Sequence, residues 1–440
     1  MVGYSLGVDL GTTVIAAAVA RGSRAQTCHL GDRSPLMPAV LYVDQLGTML
    51  TGEPASRRGL IDPDRMARYV KRQLGDPTPV LLGGQPHSVP YLLNTLLRGV
   101  VHTVTELEGE PPERIVLAHP GNWSPLRRAR FEEVARIPGF HDTVTISAPE
   151  AAAEHYTASR HLDDGTLVAV YDLGGGALDV ALLRRCAGGF EYVGAPTGIE
   201  RLGGIDFDEA IIEFVNYASG GALNGLDMAD PRTSRALAQL REDCTAAKEA
   251  LSTDTDTILP VYLADRNIEV HITRADFENL IRAGIESSVG ALQQALRSAR
   301  VAPTELAAVL LLGGSSRIPL VARMVSEALG CPVPVDPRPK AAVALGAAVA
   351  HLAPDSTRHA PAGRAESGQH AYQWPVPPSP PRPSVPPLPP APSDPHDDQK
   401  TEEADWQTTS IWPRLVTGVA VLAAFVVITL VVVALVIRLR

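Results

Sequence analysis

The sequence predicts an α/β fold in which one strand–turn–strand motif occurs twice, and three stretches carry that prediction. Residues 168–183 read VAVYDLGGGALDVALL: β-favouring residues lead into a carboxylate, three glycines allow a tight turn, and a second apolar run leaves in the opposite direction. Residues 5–20, SLGVDLGTTVIAAAVA, carry the same Asp-Leu-Gly at their turn. Residues 309–329 read VLLLGGSSRIPLVARMVSEAL, a buried strand, a glycine turn, then a helix with Pro319 near its start and Gly330 just past its end. Two phosphate-sized turns facing each other would form one clamp. A strand, glycine turn and helix N-terminus is a geometry that receives anions or the sugar end of a nucleotide.

Composition bounds the alternatives. With 440 residues, 45% of them apolar, more than one domain is expected and a sizeable core can be buried; with 5% aromatic residues, that core is built from Ala, Val, Leu and Ile. A formal charge of −10 and an isoelectric point near 5.7 argue against nucleic acid as a partner, because phosphate neutralisation needs an excess of Lys and Arg. Cys28, Cys186, Cys244 and Cys331 show no ligand spacing and read as buried small apolar residues in a reducing compartment. The N-terminus, MVGYSLGVDL, has no basic leader region and enters a strand at once, so the first domain is expected in the cytoplasm. Residues 415–437, LVTGVAVLAAFVVITLVVVALVI, are uncharged and, at about 1.5 Å per residue, long enough to cross a hydrocarbon layer of about 30 Å. Trp412 and Arg414 on one side, with Arg438 and Arg440 on the other, suit interface anchoring of a single C-terminal transmembrane helix. A buried core helix would show a polar face, and none exists.

Between these landmarks the chain alternates strands and helices. At the first turn Gly11 supplies freedom, the Thr12 and Thr13 hydroxyls can donate to phosphate oxygens, and Asp9, which would repel phosphate, suits Mg²⁺. A plain hairpin with an Asp-containing turn fits D-L-G-T-T equally well. From spacing alone Lys71, in YVKRQLG, reads as an ordinary solvated lysine. Residues 115–119, IVLAH, form a short buried strand; Ser124-Pro125 opens a helix as N-cap and first helical residue. Arg127 and Arg128 fall in its first turn against the helix dipole, where an anion or a carboxylate can hold an arginine. In GIERLGGIDFD, Gly203 and Gly204 can bring backbone amides against a phosphate. Leu237, Leu240, Cys244, Ala247 and Leu251 space an amphipathic helix with Lys248 and Ser252 at the edge of its stripe. Thr273-x-x-Asp276 reads as a capping box. Residues 375–395 are rich in proline and acidic residues follow, so residues 354–410 read as an extended, disordered spacer that also offers PPSPPRP to a proline-reading partner.

These motifs, in this order, resemble the ATPase domain of the seventy-kilodalton heat-shock protein family, within the actin and hexokinase superfamily, over roughly residues 4–352. VDLGTT and YDLGGGALDV resemble its two phosphate loops, LGGIDFD a family-specific turn, LLLGGSSRIP its adenosine loop, YVKRQLG its lysine segment and HPGNWSPLRRA its hinge proline and arginine segment. The resemblance implies an actin-like, ribonuclease H-like fold of two duplicated lobes over residues 1–353, followed by the spacer (354–410) and the membrane segment (411–440). It implies ATP or ADP and Mg²⁺ as ligands. Asp9 and Asp172 would hold the hydrated metal, while Gly11, Thr12, Thr13, Gly174, Gly175, Gly203 and Gly204 would serve the phosphates. Lys71 and Asp179 would act at the γ-phosphate and the attacking water. Lys248, Ser252, Gly313, Gly314, Ser315 and Arg317 would bracket the adenosine, and Pro120 and Arg128 would belong to a relay reporting nucleotide state.

This chain departs from the family pattern at several of these positions. The threonine after the three glycines is Ala177, and a carboxylate of the metal and relay network is replaced by Ala148. Around the base, an acid and an arginine become Thr245 and Glu249, and a late aspartate becomes Lys340. The β-sandwich peptide-binding domain gives way to the spacer and the span. The reading is therefore a membrane-anchored, slowly hydrolysing ATP-binding module whose closure is read by an unidentified protein partner or client. A nucleotide-dependent scaffold without hydrolysis is the alternative. A small-molecule kinase of the same superfold comes third, because no substrate-base aspartate accompanies the loops.

Overall fold

The computed structural model describes residues 3–350 except 33, 137–141, 159, 228, 264–266, 331–332, 334–335 and 337. The expected spacer and the expected span at 415–437 lie outside these residues. Among the described residues no helix is long and apolar enough to cross a membrane.

The repeated motif is the frame of the fold. Ser5–Leu10 and Val14–Arg21 form an antiparallel hairpin with Asp9 opposite Ala16; Arg24–Thr27 extends it on one side, and Arg114–His119 lies parallel to Ser5–Leu10 on the other, with Thr143–Ser147 beyond. The second sheet repeats the plan: Leu167–Leu173 pairs antiparallel with Leu178–Cys186, placing Asp172 opposite Asp179, Gly189–Tyr192 extends the hairpin, and Leu306–Leu312 lies parallel to Leu167–Leu173. In both halves the parallel partner arrives after a long helical excursion, as a parallel pair requires. The duplicated sequence motif is thus a duplicated topology, and the mixed α/β architecture is the one expected.

Nine helices occur among the described residues: α1 (Gly52–Ile61), α2 (Val89–Glu108), α3 (Pro125–Val134), α4 (Ala148–Thr157), α5 (Gly204–Ala218), α6 (Pro231–Ala250), α7 (Arg274–Ala299), α8 (Pro319–Leu329) and α9 (Ala342–Val349). Their starts follow the local chemistry. The Ser124 hydroxyl accepts from the Arg127 amide at 3.3 Å with Pro125 in the first turn, and Thr273 and Asp276 close a reciprocal capping box. On α6, Leu240, Cys244 and Ala247 are buried, followed by Leu251, as the stripe predicts.

Strand alternation divides the core. Leu6, Val8 and Leu10 pack with Leu92, Leu96 and Val100 of α2, as does Ala17 of the next strand, while Ala16, Ala18 and Ala20 face Ala344, Leu345 and Ala348 of α9. In the second half, Tyr171 and Leu173 pack with Ile281 and Ile285 of α7 and with Leu320 and Val325 of α8. Helices α4 and α9 lie in a shared alanine-rich cluster with Val116, Val168 and Val170, so they join the two sheets. Their backbones nearly touch: a Cβ on Gly346 would sit 1.6 Å from the Ala151 carbonyl oxygen, an approach open only to glycine. Cys28 and Cys244 are buried, and burial pushes both thiols up to about 12, so they behave as apolar filler. Cys186 corrects the expectation: at the end of its strand, beside a turn, it is only half-buried. Cys331 lies outside the described residues.

Candidate functional site

The two glycine turns face each other across a cleft of about 420 Å³. A Cβ on Gly175 would lie 2.5 Å from the Thr13 hydroxyl oxygen and one on Gly176 2.5 Å from that of Thr12, so bare backbone is what lets the turns close. The wall includes Asp9, Gly11, Thr12, Thr13, Lys71, Asp172, Gly174, Gly175 and Asp179, together with Gly204, Lys248, Ser252, Gly313, Gly314 and Ser315. Gly203 and Arg317 are not on it: Gly203 is buried behind the second turn, and Arg317 is exposed to solvent. Pro120 lines the cleft and Arg128 is exposed.

Lys71 is the clearest correction to residue spacing. Tyr69 takes a left-handed conformation (φ 58°) that leads the chain into a short 3-10 turn, Val70–Gln73, and Lys71 ends up 9% exposed instead of solvated. Its Nζ lies 3.9 Å from Asp9 Oδ1 and 5.6 Å from the centre of the Trp123 ring. Burial pulls this ammonium down from its ordinary pKa, and Asp9 and Asp172 oppose that pull. Burial, then the charges of Asp9 and Asp179, push Asp172 up to about 7; burial pushes Asp179 up to about 6 against hydrogen bonds from the Gly121 and Asn122 amides. Asp9 is raised by the same desolvation and lowered by Lys71.

Three carboxylates thus lie near one ammonium on the wall of the cleft. Asp179 Oδ2 accepts from the Gly121 amide at 2.6 Å, whereas its Oδ1 is buried with no hydrogen-bond partner. An orphaned acceptor and a surplus of negative charge fit a hydrated divalent cation. Among the described residues no three His, Cys, Asp or Glu side chains converge to hold a metal directly. Asp9 and Asp172 would therefore hold Mg²⁺ largely through water.

The start of α5 does a different job from the one expected of it. The Gly204 amide donates to the Gly174 carbonyl at 3.0 Å and the Ile205 amide to the Gly175 carbonyl at 2.9 Å, so these two donors brace the second glycine turn. The Ser315 hydroxyl also donates to the Gly174 carbonyl, at 2.9 Å. Lys248 donates to the Gly204 carbonyl at 2.9 Å and lies 2.6 Å from Asp208, which is 7% exposed. Burial raises the Asp208 carboxyl and Lys248 lowers it.

Several functional residues escaped sequence reasoning. Arg72 donates to the Gly176 carbonyl at 2.9 Å and to Asp206 at 2.7 Å, tying the lysine segment to the second turn. Trp123 lies under Arg127 (5.3 Å) as well as Lys71. Arg72 stood beside Lys71 and Trp123 within HPGNWSPLRRA, but their partners are remote in sequence and no local pattern announces them. Arg127 meets the expectation for a first-turn arginine: Glu200 holds it at 2.8 Å, with the Leu74 and Arg72 carbonyls at 2.8 and 3.1 Å.

The family model described as Hsp70 protein matches residues 80–355, more than half of the chain. The chain belongs to the Hsp70 protein family. Its ATPase domain has an actin-like fold, in keeping with the duplicated sheets, and members of the Hsp70 family bind ATP or ADP with Mg²⁺. Among the relatives it resembles, "Chaperone protein DnaK" of Cenarchaeum symbiosum (strain A) is 30% identical over 356 residues, covering 78% of this chain and 53% of the relative. "Chaperone protein DnaK" of Thermotoga petrophila is 31% identical over 355 residues, covering 79% of this chain and 59% of the relative. The matched region therefore amounts to little more than half the length of these Hsp70 relatives.

Proposed function

We propose that this chain is a membrane-tethered nucleotide-binding module that takes ATP or ADP with Mg²⁺ in the cleft, hydrolyses ATP slowly, and offers its opening and closing to a protein partner. The observation that carries the reading is Lys71 buried among Asp9, Asp172 and Asp179 between two facing glycine turns. Bound Mg²⁺ would polarise the phosphate oxygens and neutralise their charge. The Thr12 and Thr13 hydroxyls can donate to phosphate oxygens, and the Lys71 ammonium supplies a fixed positive charge where negative charge develops. Asp179, held through Oδ2 by the Gly121 amide, places its carboxylate beside Lys71 on the cleft wall, where it can help orient the attacking water once nucleotide is bound. Ala177 and Ala148 withhold a hydroxyl and a carboxylate from that centre, which argues for slow turnover. The apolar run at 415–437 supports the tether, and the proline-rich spacer the distance between cleft and membrane.

Phosphate release by the full chain in detergent, with and without Lys71→Ala, tests the proposal. Slow release that the variant loses while still binding ADP is the expected result; failure to bind ADP or ATP with Mg²⁺ in calorimetry removes it. Ala177 favours one second reading, a nucleotide-dependent scaffold, and binding without measurable release selects that reading.

A further inference from the structure

Lys71 stands on a turn too short to hold itself firmly. Val70–Gln73 is a single 3-10 turn, with the Arg72 amide on the Tyr69 carbonyl at 3.0 Å and the Leu74 amide on the Lys71 carbonyl at 3.2 Å. Such a turn has poor hydrogen-bond geometry and leaves its last carbonyls open. One side chain from elsewhere takes two of them. Arg127 Nε donates to the Leu74 carbonyl at 2.8 Å and Nη2 to the Arg72 carbonyl at 3.1 Å, so one planar guanidinium fixes two peptide groups just after Lys71. Its remaining nitrogen, Nη1, donates to Glu200 at 2.8 Å, a residue of the second half that lines the same cleft. The Trp123 ring receives both cations, Arg127 at 5.3 Å and Lys71 at 5.6 Å from its centre.

Arg127 does not serve Lys71 as a charge. Burial lowers the Lys71 ammonium and the charge of Arg127 adds to the fall. In the first turn of α3 the guanidinium also stands against the helix dipole. With both electrostatic effects against it, what Arg127 contributes is geometry: all three of its nitrogens are engaged, and its side chain is 17% exposed.

We propose that Arg127 is the positioning residue of Lys71: it braces the turn that carries the lysine, aims the ammonium into the cleft, and thereby sets how strongly the site tells ATP from ADP. The last step rests on the nucleotide reading of the cleft, in which Lys71 meets the γ-phosphate that ADP lacks. Calorimetric titration of the full chain in detergent with Mg²⁺-ADP and with the non-hydrolysed analogue Mg²⁺-β,γ-imido-ATP tests this. The variants are Arg127→Gln, Arg127→Lys, Lys71→Ala, and Arg127→Gln combined with Lys71→Ala. Arg127→Gln is expected to weaken the analogue about tenfold and ADP less than about threefold, on the scale of one charged hydrogen bond. Arg127→Lys is expected to do the same, since a lysine lacks the fork that spans both carbonyls. On the Lys71→Ala background the Arg127 substitution is expected to remove nothing further, because it acts through that lysine. In the ligand-free chain, hydrogen exchange is expected to quicken over residues 69–76 in Arg127→Gln and to stay unchanged over residues 125–134 of α3. Equal weakening of both ligands, recovery in Arg127→Lys, additive losses, or unchanged exchange over residues 69–76 overturns the proposal. Binding of neither ligand by the unaltered chain removes the nucleotide site and the use of Lys71 in it, a separate failure, because the exchange measurement needs no ligand and decides the brace alone.

Discussion

Gly203 backs directly onto Gly175: a Cβ built on Gly203 would come 2.8 Å from both the carbonyl carbon and the carbonyl oxygen of Gly175. The backbone of Gly203 is extended (φ −176°), so space and not conformation demands glycine there. The obstructing atoms are backbone and cannot rotate away. Gly203→Ala is expected to displace the phosphate turn, cost about 1–3 kcal/mol of stability, and weaken ADP binding at least about tenfold. Thermal unfolding and calorimetry check both; unchanged affinity would mean that the turn can shift without consequence.

Ala177 lies exposed on the cleft wall, so a larger side chain fits without displacing the core. Ala177→Thr is expected to raise phosphate release at unchanged melting temperature, because it restores a hydroxyl beside the reacting end. An unchanged rate would show that the missing hydroxyl does not limit turnover.

The frame of this molecule was legible because its signals are local. Asp-Leu-Gly between apolar runs, the prolines and serines that open helices and Gly330 past α8 each describe a few consecutive residues, and the strands and helices formed where those residues placed them. What stayed hidden depends on partners far apart. Nothing around Lys71 announces its burial, which follows from the left-handed Tyr69 and from carboxylates supplied by two different sheets. The amides at the start of α5 looked free for a phosphate because the carbonyls they meet belong to a turn about thirty residues upstream. Arg72 with Asp206, and Lys248 with Asp208, were visible as charges but not as pairs.

His119 supplies a pH dependence. Its ring lies 6.3 Å from that of Trp123 and 6.5 Å from that of Phe131, and burial, with Arg128 and Lys71 nearby, depresses its pKa below the ordinary histidine value of about 6.5. A depressed folded-state value means that stability is fully present above about pH 6.5 and is lost as the pH falls towards the folded value, at up to about 1.4 kcal/mol for each unit of depression. Replacing the ring by one that cannot charge, His119→Phe, is expected to flatten the fall in melting temperature between about pH 7 and about pH 5. An equally steep fall in the variant would assign the acid lability to other groups, His155 among them.

The surplus of carboxylates predicts a metal requirement. Nucleotide brought into the cleft without Mg²⁺ adds phosphate charge to Asp9, Asp172 and Asp179. ADP at about a hundredfold excess over its dissociation constant is expected to stabilise the protein by about 2.7 kcal/mol with Mg²⁺ and by far less with a chelator. Equal thermal shifts in the two conditions would argue against a metal held by these residues.

The crossing of α4 and α9 has a mechanical consequence. Where Gly346 meets Ala151 the two backbones are in contact, and Val343 of α9 packs among the α4 alanines in the same cluster. Any side chain at position 346 would push the helices apart and open a void along the seam, so this one position sets how tightly the two halves are clasped.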